Sequence, residues 1–338
     1  MKIVFRLKTG FIIFVTTLAL ALSFLPGVSL AMMKFTPTVE RPKINKDEKQ
    51  IIDELGSRLK DHVTALAGTI GERNLFISDN LYKAAQYIHT FWQHLGYEVK
   101  KQTFLVESLS CENLSVEIPG TEKSGEIILL GAHYDSVVGS PGANDNGSAV
   151  ASLLEISRLF SHKPQNKTVR LVAFTNEEPP FFRGKWMGSQ VYAQRCRTQK
   201  EKILAMVSLE TIGYYSDVPK SQRYPPPLNF FYPDKGNFLG VVGNIQSRKL
   251  VKTFTQYFME GINFPVESVA AFGFIPGIEW SDHSSFWRYN YPAIMVTDTA
   301  PYRYPYYHTA EDTPDKIDYP SLARVTYGIF YATQRLAH

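Results

Sequence analysis

Ile127-Ile-Leu-Leu-Gly-Ala-His133-Tyr-Asp135-Ser136 is a short apolar run that ends in an imidazole and a carboxylate. The pattern recurs twice. Val169-Arg-Leu-Val-Ala-Phe174 leads into Thr-Asn-Glu177-Glu178, and Ile203-Leu-Ala-Met-Val-Ser-Leu209 leads into Glu210. Short runs of this kind, without polar alternation, belong to strands covered on both faces. Helical patterns separate them: Ser148–Phe160, with Val150, Leu153, Leu154 and Leu159 as its packing stripe, and Gly188–Cys196. Strands alternating with amphipathic helices predict an α/β fold whose central sheet carries helices on both faces.

Upstream, Ile51, Ile52, Leu55, Leu59 and Val63 fall at helical spacing within residues 48–70, and Asp79 or Asn80 suits the cap of a second helix running to about Leu95. Tyr97–Val106 alternates like a half-exposed strand, and Leu114–Ile118 is a further strand stopped by Pro119-Gly120. These alternating strands predict an antiparallel edge, hence a mixed sheet. Downstream, residues 214–236 form a long aromatic and proline-rich loop; such a loop is either functional or disordered, and the aromatic content favours a packed functional one. Phe238–Val242 and Ala293–Val296 read as strands, Arg248–Glu260 and Leu322–Arg335 as helices. Residues 48–338 are thus expected to form a single catalytic domain.

The composition sets limits. With 338 residues, 44% hydrophobic and 20% charged, the chain can bury a large core. A net charge of +4 with no Lys/Arg block of five gives no nucleic-acid footprint. Two cysteines, Cys111 and Cys196, are too few for a thiolate zinc cage, and the sequence assigns no bridge between them. Lys2, Arg6 and Lys8, the apolar stretch Phe11–Leu25 and the small residues Ser29-Leu30-Ala31 read as a signal peptide. Left uncleaved, the same stretch over residues 10–31 is a membrane anchor. Either way the expected location is extracytoplasmic: periplasmic, secreted or membrane-attached. Residues 32–47 read as a linker or extended arm.

The chemistry concentrates after these strands. In His133-Tyr-Asp135, residues two apart on a strand point the same way, so Asp135 can hold one imidazole nitrogen and leave the other for a metal. Asp145, in Gly-Ala-Asn-Asp-Asn-Gly-Ser before a helix, suits an N-cap or a carboxylate with both oxygens free to bridge two ions. Glu177 and Glu178 diverge in direction, so one can bind metal while the other accepts a proton. The Pro-Pro-Phe-Phe that follows would dry that base and raise its pKa. Glu210 closes a buried strand, which suits a metal ligand or a surface acid. His308, after a tyrosine-rich loop, reads as a ligand or an ordinary loop residue, with Asp312 placed to steady the loop or the imidazole. Asp282-His283 reads as supporting structure. Carboxylates with neutral imidazoles are a donor set for zinc.

The order H-x-D, Asp, Glu-Glu, Glu and His, carried by GAHYDS, GANDNGSA, NEEPPFF with MGSQVYA, SLETIGYY, SDHSSFW and YYHTAEDTPD, resembles the di-zinc aminopeptidase family over residues 80–335. That family includes bacterial leucyl aminopeptidases and has glutamate carboxypeptidase and glutaminyl cyclases as relatives. The resemblance implies two zinc ions: Glu178 and His308 on one, His133 and Glu210 on the other, and Asp145 bridging. It implies Glu177 as general base and Asp135 as the residue orienting His133. The family often has Asp where this chain has Glu210, which keeps the carboxylate on one more methylene. The expected function is a zinc exopeptidase, an aminopeptidase acting on peptides, with no protein partner implied. The alternatives are a glutaminyl cyclase-like acyltransferase and a catalytically silent receptor or scaffold domain. Phe181-Phe182, the 214–236 loop and Tyr302–Tyr307 are candidates for the wall of an apolar pocket.

Overall fold

The structure, a computed structural model, describes residues 34, 35, 37, 39, 40, 42, 44–226 and 228–338. The segment read as signal peptide or anchor lies outside these residues. No helix among the described residues is long and apolar enough to cross a membrane.

The first helix of the described residues is α1 (Lys46–Val63), which widens into π-type turns over Thr64–Ile70. Asn45 and Glu48 close a reciprocal capping box at its start. Helix α2 (Ser78–His94) follows, without the side-chain cap expected of Asp79 or Asn80. Asn80 instead donates to the carbonyls of Ile70 and Glu72, tying the two helices' connection together. Then come β1 (Lys100–Val106), β2 (Leu109–Ile118), β3 (Gly120–His133), α3 (Ala149–Phe160), β4 (Gln165–Phe174), α4 (Gly188–Thr198) and β5 (Lys202–Glu210). The second half holds β6 (Leu239–Asn244), α5 (Arg248–Gly261), β7 (Val266–Ala271), α6 (His283–Trp287), β8 (Ala293–Thr297), α7 (Ala300–Arg303) and α8 (Tyr319–Ala337).

The eight strands form one sheet in the order β1-β2-β4-β3-β5-β8-β6-β7. Pairs β3–β4, β3–β5, β5–β8 and β6–β7 are parallel; β1–β2, β2–β4 and β6–β8 are antiparallel. The mixed sheet expected from the sequence is therefore present. Both faces are covered, and strand alternation sorts the residues. Ile128, Leu130 and Ala132 of β3 join the core beneath α1, α2, α3, α5 and α8, whereas Ile127 and Leu129 join the core beneath α4 and α6. Burial on both sides explains why β3, β4 and β5 lack polar alternation.

Register positions the site. His133 of β3 lies opposite Phe174 of β4, and Gly131 lies opposite Ser208 of β5. The C-terminal ends of three parallel strands thus open at one edge, the usual place for a site in such sheets. Strand β7 and the short helices α6 and α7 were not anticipated from the sequence. Val266–Ala271 mixes polar and small residues, and the helices have too few turns to show a period. The residues read as a linker are not free of the fold: Lys34 pairs with Val269 of β7, and Ser268 donates to the carbonyl of Phe35.

One fully buried cation fastens the loops after β3. Arg73 donates from Nε to the Tyr134 carbonyl at 2.7 Å, from Nη1 to that of Pro141 at 2.5 Å and from Nη2 to that of Gly142 at 2.8 Å. Its backbone N–H and C=O both bond Ser136. Burial lowers its pKa to about 10. Gly142 has a left-handed φ of 64°, and a Cβ there would overlap Ser136 and the Asp145 carbonyl. Arg73→Ala would orphan three buried carbonyls, so its unfolding free energy is expected to fall by about 3 kcal/mol or more in urea denaturation. Arg73→Lys should recover only a minor part, because an ammonium cannot reproduce the planar fork. A loss below about 1 kcal/mol for the alanine variant would remove this fastening role.

Candidate metal centre

Five of the residues expected to bind metal converge at the sheet edge. His133 Nε2 lies 3.4 Å from Asp145 Oδ1 and 3.4 Å from Glu210 Oε2. His308 Nε2 lies 3.1 Å from Asp145 Oδ2 and 3.3 Å from Glu178 Oε2. Asp145 thus turns one oxygen to each imidazole. The donors form three overlapping groups, His133/Asp145/Glu210, Asp145/Glu178/His308 and His133/Glu177/Glu178, with the atoms of each within 4.8 Å of one another. Glu177 Oε2 stands beside them, 3.9 Å from His133 Nε2.

Local structure delivers each group. The three residues Asn144-Asp145-Asn146 divide their tasks. Asn144 donates to Asp298 and accepts from the Gly213 N–H, and Asn146 donates to the Leu209 carbonyl and accepts from the Thr211 N–H. The flanking amides therefore sew this loop to the end of β5, and Asp145 between them is left to face inward. Asp312 accepts the N–H groups of Asn144 at 2.8 Å and Asp145 at 3.1 Å. It fixes the Asp145 loop rather than the His308 imidazole. The N-cap reading of Asp145 is not realised: α3 begins at Ala149 with no side-chain cap, and Asp145 itself has φ −107° and ψ 93°.

Asp135 has a second task besides standing at His133. Its carboxylate accepts the N–H groups of Glu177 and Glu178, each at 3.1 Å, so it aims the pair of glutamates. His133 Nδ1 meets the Asp135 backbone carbonyl at 3.2 Å and the carboxylate at 3.5 Å. Both nearest groups accept, so the proton sits on Nδ1 and Nε2 is free for an ion. Ser281 donates to Glu210 Oε2 at 2.6 Å. Three residues at or beside the ligands, Asn176, Thr211 and His308, hold positive φ of 56°, 44° and 59°. Such strain collects at functional sites.

The electrostatics call for a cation. Four carboxylates, Asp145, Glu177, Glu178 and Glu210, lie almost wholly buried around two imidazoles. Burial pushes Glu177 well above the ordinary carboxylate range and Glu178 to about 7. Burial alone would lower His308, but the Asp145 and Glu178 carboxylates outweigh it and raise its pKa to about 10. Burial opposes a proton on His133 as well, and Glu210 and Glu177 outweigh it. Buried atoms His133 Nε2, Asp145 Oδ1, Glu178 Oε1 and His308 Nε2 have no hydrogen-bond partner. An inward-facing set of orphaned nitrogen and oxygen donors with excess negative charge fits divalent zinc.

Asp282 and His283 stand as supporting structure. His283 Nε2 contacts the Ile278 carbonyl at 2.8 Å, and Asp282 is fully buried, with burial raising its pKa to about 7. Beside Glu210 a pocket opens; Tyr224, Leu228, Tyr232, Trp280, Tyr302 and Tyr307 are among its walls. Phe181 and Phe182 are not: Phe181 stacks on Phe76 instead. Tyr307 stacks on the His308 ring at 3.8 Å. Sequence reading missed Arg73 and Asp298, whose isolated charges carry no spacing signal; only their burial reveals them. Cys111 and Cys196 are both free and buried.

Comparison with known proteins agrees with this geometry. Residues 113–333 match the model of peptidase family M28. The uncharacterized protein YfbL of Escherichia coli is 38% identical over 281 residues, spanning 80% of this chain and 85% of that protein. Among solved structures, the zinc aminopeptidase BSAP of Bacillus subtilis superposes with a TM-score of 0.65 at 15% identity, over 83% of this chain and 94% of the other. A glutaminyl cyclase of Fimbriiglobus ruber gives 0.62 at 19% identity, over 88% and 97%. The chain is a metallopeptidase and belongs to peptidase family M28.

Proposed function

We propose that this protein is an aminopeptidase that holds two zinc ions, with Glu178 and His308 on one, His133 and Glu210 on the other, and Asp145 between them. The observation that carries the reading is Asp145: its two oxygens face two different imidazoles, at 3.4 and 3.1 Å. Bound zinc supplies a Lewis acid and makes water acidic enough to ionise near neutral pH. The chain's own residues do the rest. Glu177 takes a proton from the attacking water and returns it to the departing amine nitrogen as the peptide bond breaks. Its burial keeps its proton affinity high, and the Asp135 carboxylate on its backbone N–H fixes where it points. The apolar pocket beside Glu210 receives the side chain of the amino-terminal residue. The basic, apolar and small-residue order of residues 2–31 supports a working place outside the cytoplasm, with the chain either freed by cleavage or kept at the membrane.

Glu177→Gln should keep the fold and the metal but lower kcat on amino-acid arylamides by a factor on the order of 10² to 10⁴. Turnover within threefold of the parent would withdraw the general-base role. If mass analysis of a glutaminyl peptide shows pyroglutamate formed instead of a residue released, the cyclase reading replaces the hydrolytic one.

Metal analysis tests the ligand sets separately. The parent is expected to carry two zinc ions per chain, His133→Ala and His308→Ala one each, and Asp145→Ala none held tightly. A chelator should abolish activity and zinc should restore it. A single zinc in the parent, or two in Asp145→Ala, would end the bridging assignment.

A further inference from the structure

The pocket that receives the substrate side chain carries one unexpected group. Its walls are overwhelmingly apolar, and the only ionisable carboxylates among them are Glu210, at the metal end, and Glu267, on β7. A carboxylate in such a wall attracts a cationic ligand unless a fixed charge already answers it. Here Lys34 answers it. Its ammonium lies 3.0 Å from Glu267 Oε2, donates to the Phe231 carbonyl at 3.0 Å and sits 4.8 Å from the centre of the Tyr232 ring. The arm that brings Lys34 is itself held: Lys34 pairs with Val269, Ser268 donates to Phe35 at 2.6 Å, and Lys252 stacks over the Phe35 ring. Tyr232 closes the circuit by donating to the Ser268 carbonyl at 3.0 Å.

Two exposed-to-half-buried side chains gain little stability from pairing. Charge inside a low-dielectric pocket matters far more to whatever enters it. Lys34 and Glu267 are 32% and 23% exposed, so their pairing is a weak clamp, and what it changes is the charge that Glu267 presents to a ligand entering the pocket.

We propose that Lys34 is a specificity-determining residue: by neutralising Glu267, it reserves the pocket for uncharged apolar or aromatic amino-terminal residues and excludes lysine and arginine. This rests on the aminopeptidase reading above and assigns the selectivity of that same site to an arm that supplies none of the metal ligands. Lys34 acts through Glu267 and does not touch the reacting atoms.

The test uses the full, zinc-loaded chain and arylamides of Phe, Leu, Lys and Arg. The parent should favour Phe and Leu over Lys and Arg by at least about tenfold in kcat/KM, since an unmatched charge must otherwise be desolvated. Lys34→Ala should cut that ratio about tenfold, through a lower KM for the basic substrates with kcat little changed. Lys34→Arg should keep the parent ratio, and Lys34→Ala/Glu267→Gln should restore it. An unchanged ratio in Lys34→Ala, or no restoration in the double variant, overturns the proposal. If the parent hydrolyses none of these substrates, the aminopeptidase reading fails by itself. The pocket is then read by intrinsic tryptophan fluorescence, Trp280 being in its wall, during titration with phenylalaninamide and lysinamide. Preference must still swing toward lysinamide in Lys34→Ala; no swing, or no binding to either protein, overturns it.

Discussion

Four carboxylates crowded into a dry edge of the sheet are the constraint on which the rest of this molecule turns. A single uncompensated buried carboxylate costs several kcal/mol, and like charges at this separation add to that. Two imidazoles cannot neutralise four acids and still leave free nitrogens. The cluster is therefore stable as built only if positive charge joins it, whether as protons on the imidazoles and on Glu177 and Glu178 or as divalent ions. Proton and metal compete for the same orphaned atoms, which links metal affinity to pH in this fold.

The scaffold's design follows from that tension. Groups that repel must be held apart by something other than their own contacts, so Asp145, Glu177 and Glu178 are fixed through their backbones. Asp135 holds the N–H groups of Glu177 and Glu178, Asp312 holds those of Asn144 and Asp145, and Arg73 holds the carbonyls of the connecting loops. Supporting residues are nearly as buried as the ligands and make most of the hydrogen bonds that the ligands do not. A site assembled this way keeps its geometry when the ion leaves, because the loops do not depend on the ion for their hydrogen bonds.

How much of this was legible in the sequence depends on the range of the interaction. The strands of the sheet's centre were readable because burial on both faces writes an unbroken apolar run, as in Ile127–Ala132 and Ile203–Leu209. Of the candidate ligands, His133, Glu178 and Glu210 were readable because they follow such runs closely, whereas Asp145 and His308 lie in loops and stood out only in company with the others. Strand β7 was not, since Val266-Glu-Ser-Val-Ala-Ala mixes a charged residue into an edge strand whose outer side meets the arm. Asp145 looked like a helix cap because Asp before a helix usually is one, and here the π-type turns of Ala143–Ser148 displace the helix start and free its carboxylate. Asp135 stands beside His133 as the spacing suggests, with its carboxylate 3.5 Å from Nδ1; its further contacts, to the N–H groups of residues 177 and 178, no local spacing reveals. Arg73 left no trace because its partners are carbonyls, which every residue has.

Glu210 shows how one methylene is accommodated. A glutamate has one more rotatable bond than an aspartate, and fixing it costs additional side-chain entropy. The chain offsets this with a hydroxyl relay. Ser281 donates to Glu210 Oε2 at 2.6 Å, and Ser208 Oγ lies 3.0 Å from Ser281 Oγ. Ser208 and Glu210 are two apart on β5 and so share a face of the sheet. The strand thus supplies both the ligand and, through Ser281, the brace that holds it. The oxygen that Ser281 grips is the one 3.4 Å from His133 Nε2, so the longer side chain arrives at the shared ion site already oriented. Length at this position is therefore a matter of bracing, and a shorter acid here would leave Ser281 without its acceptor.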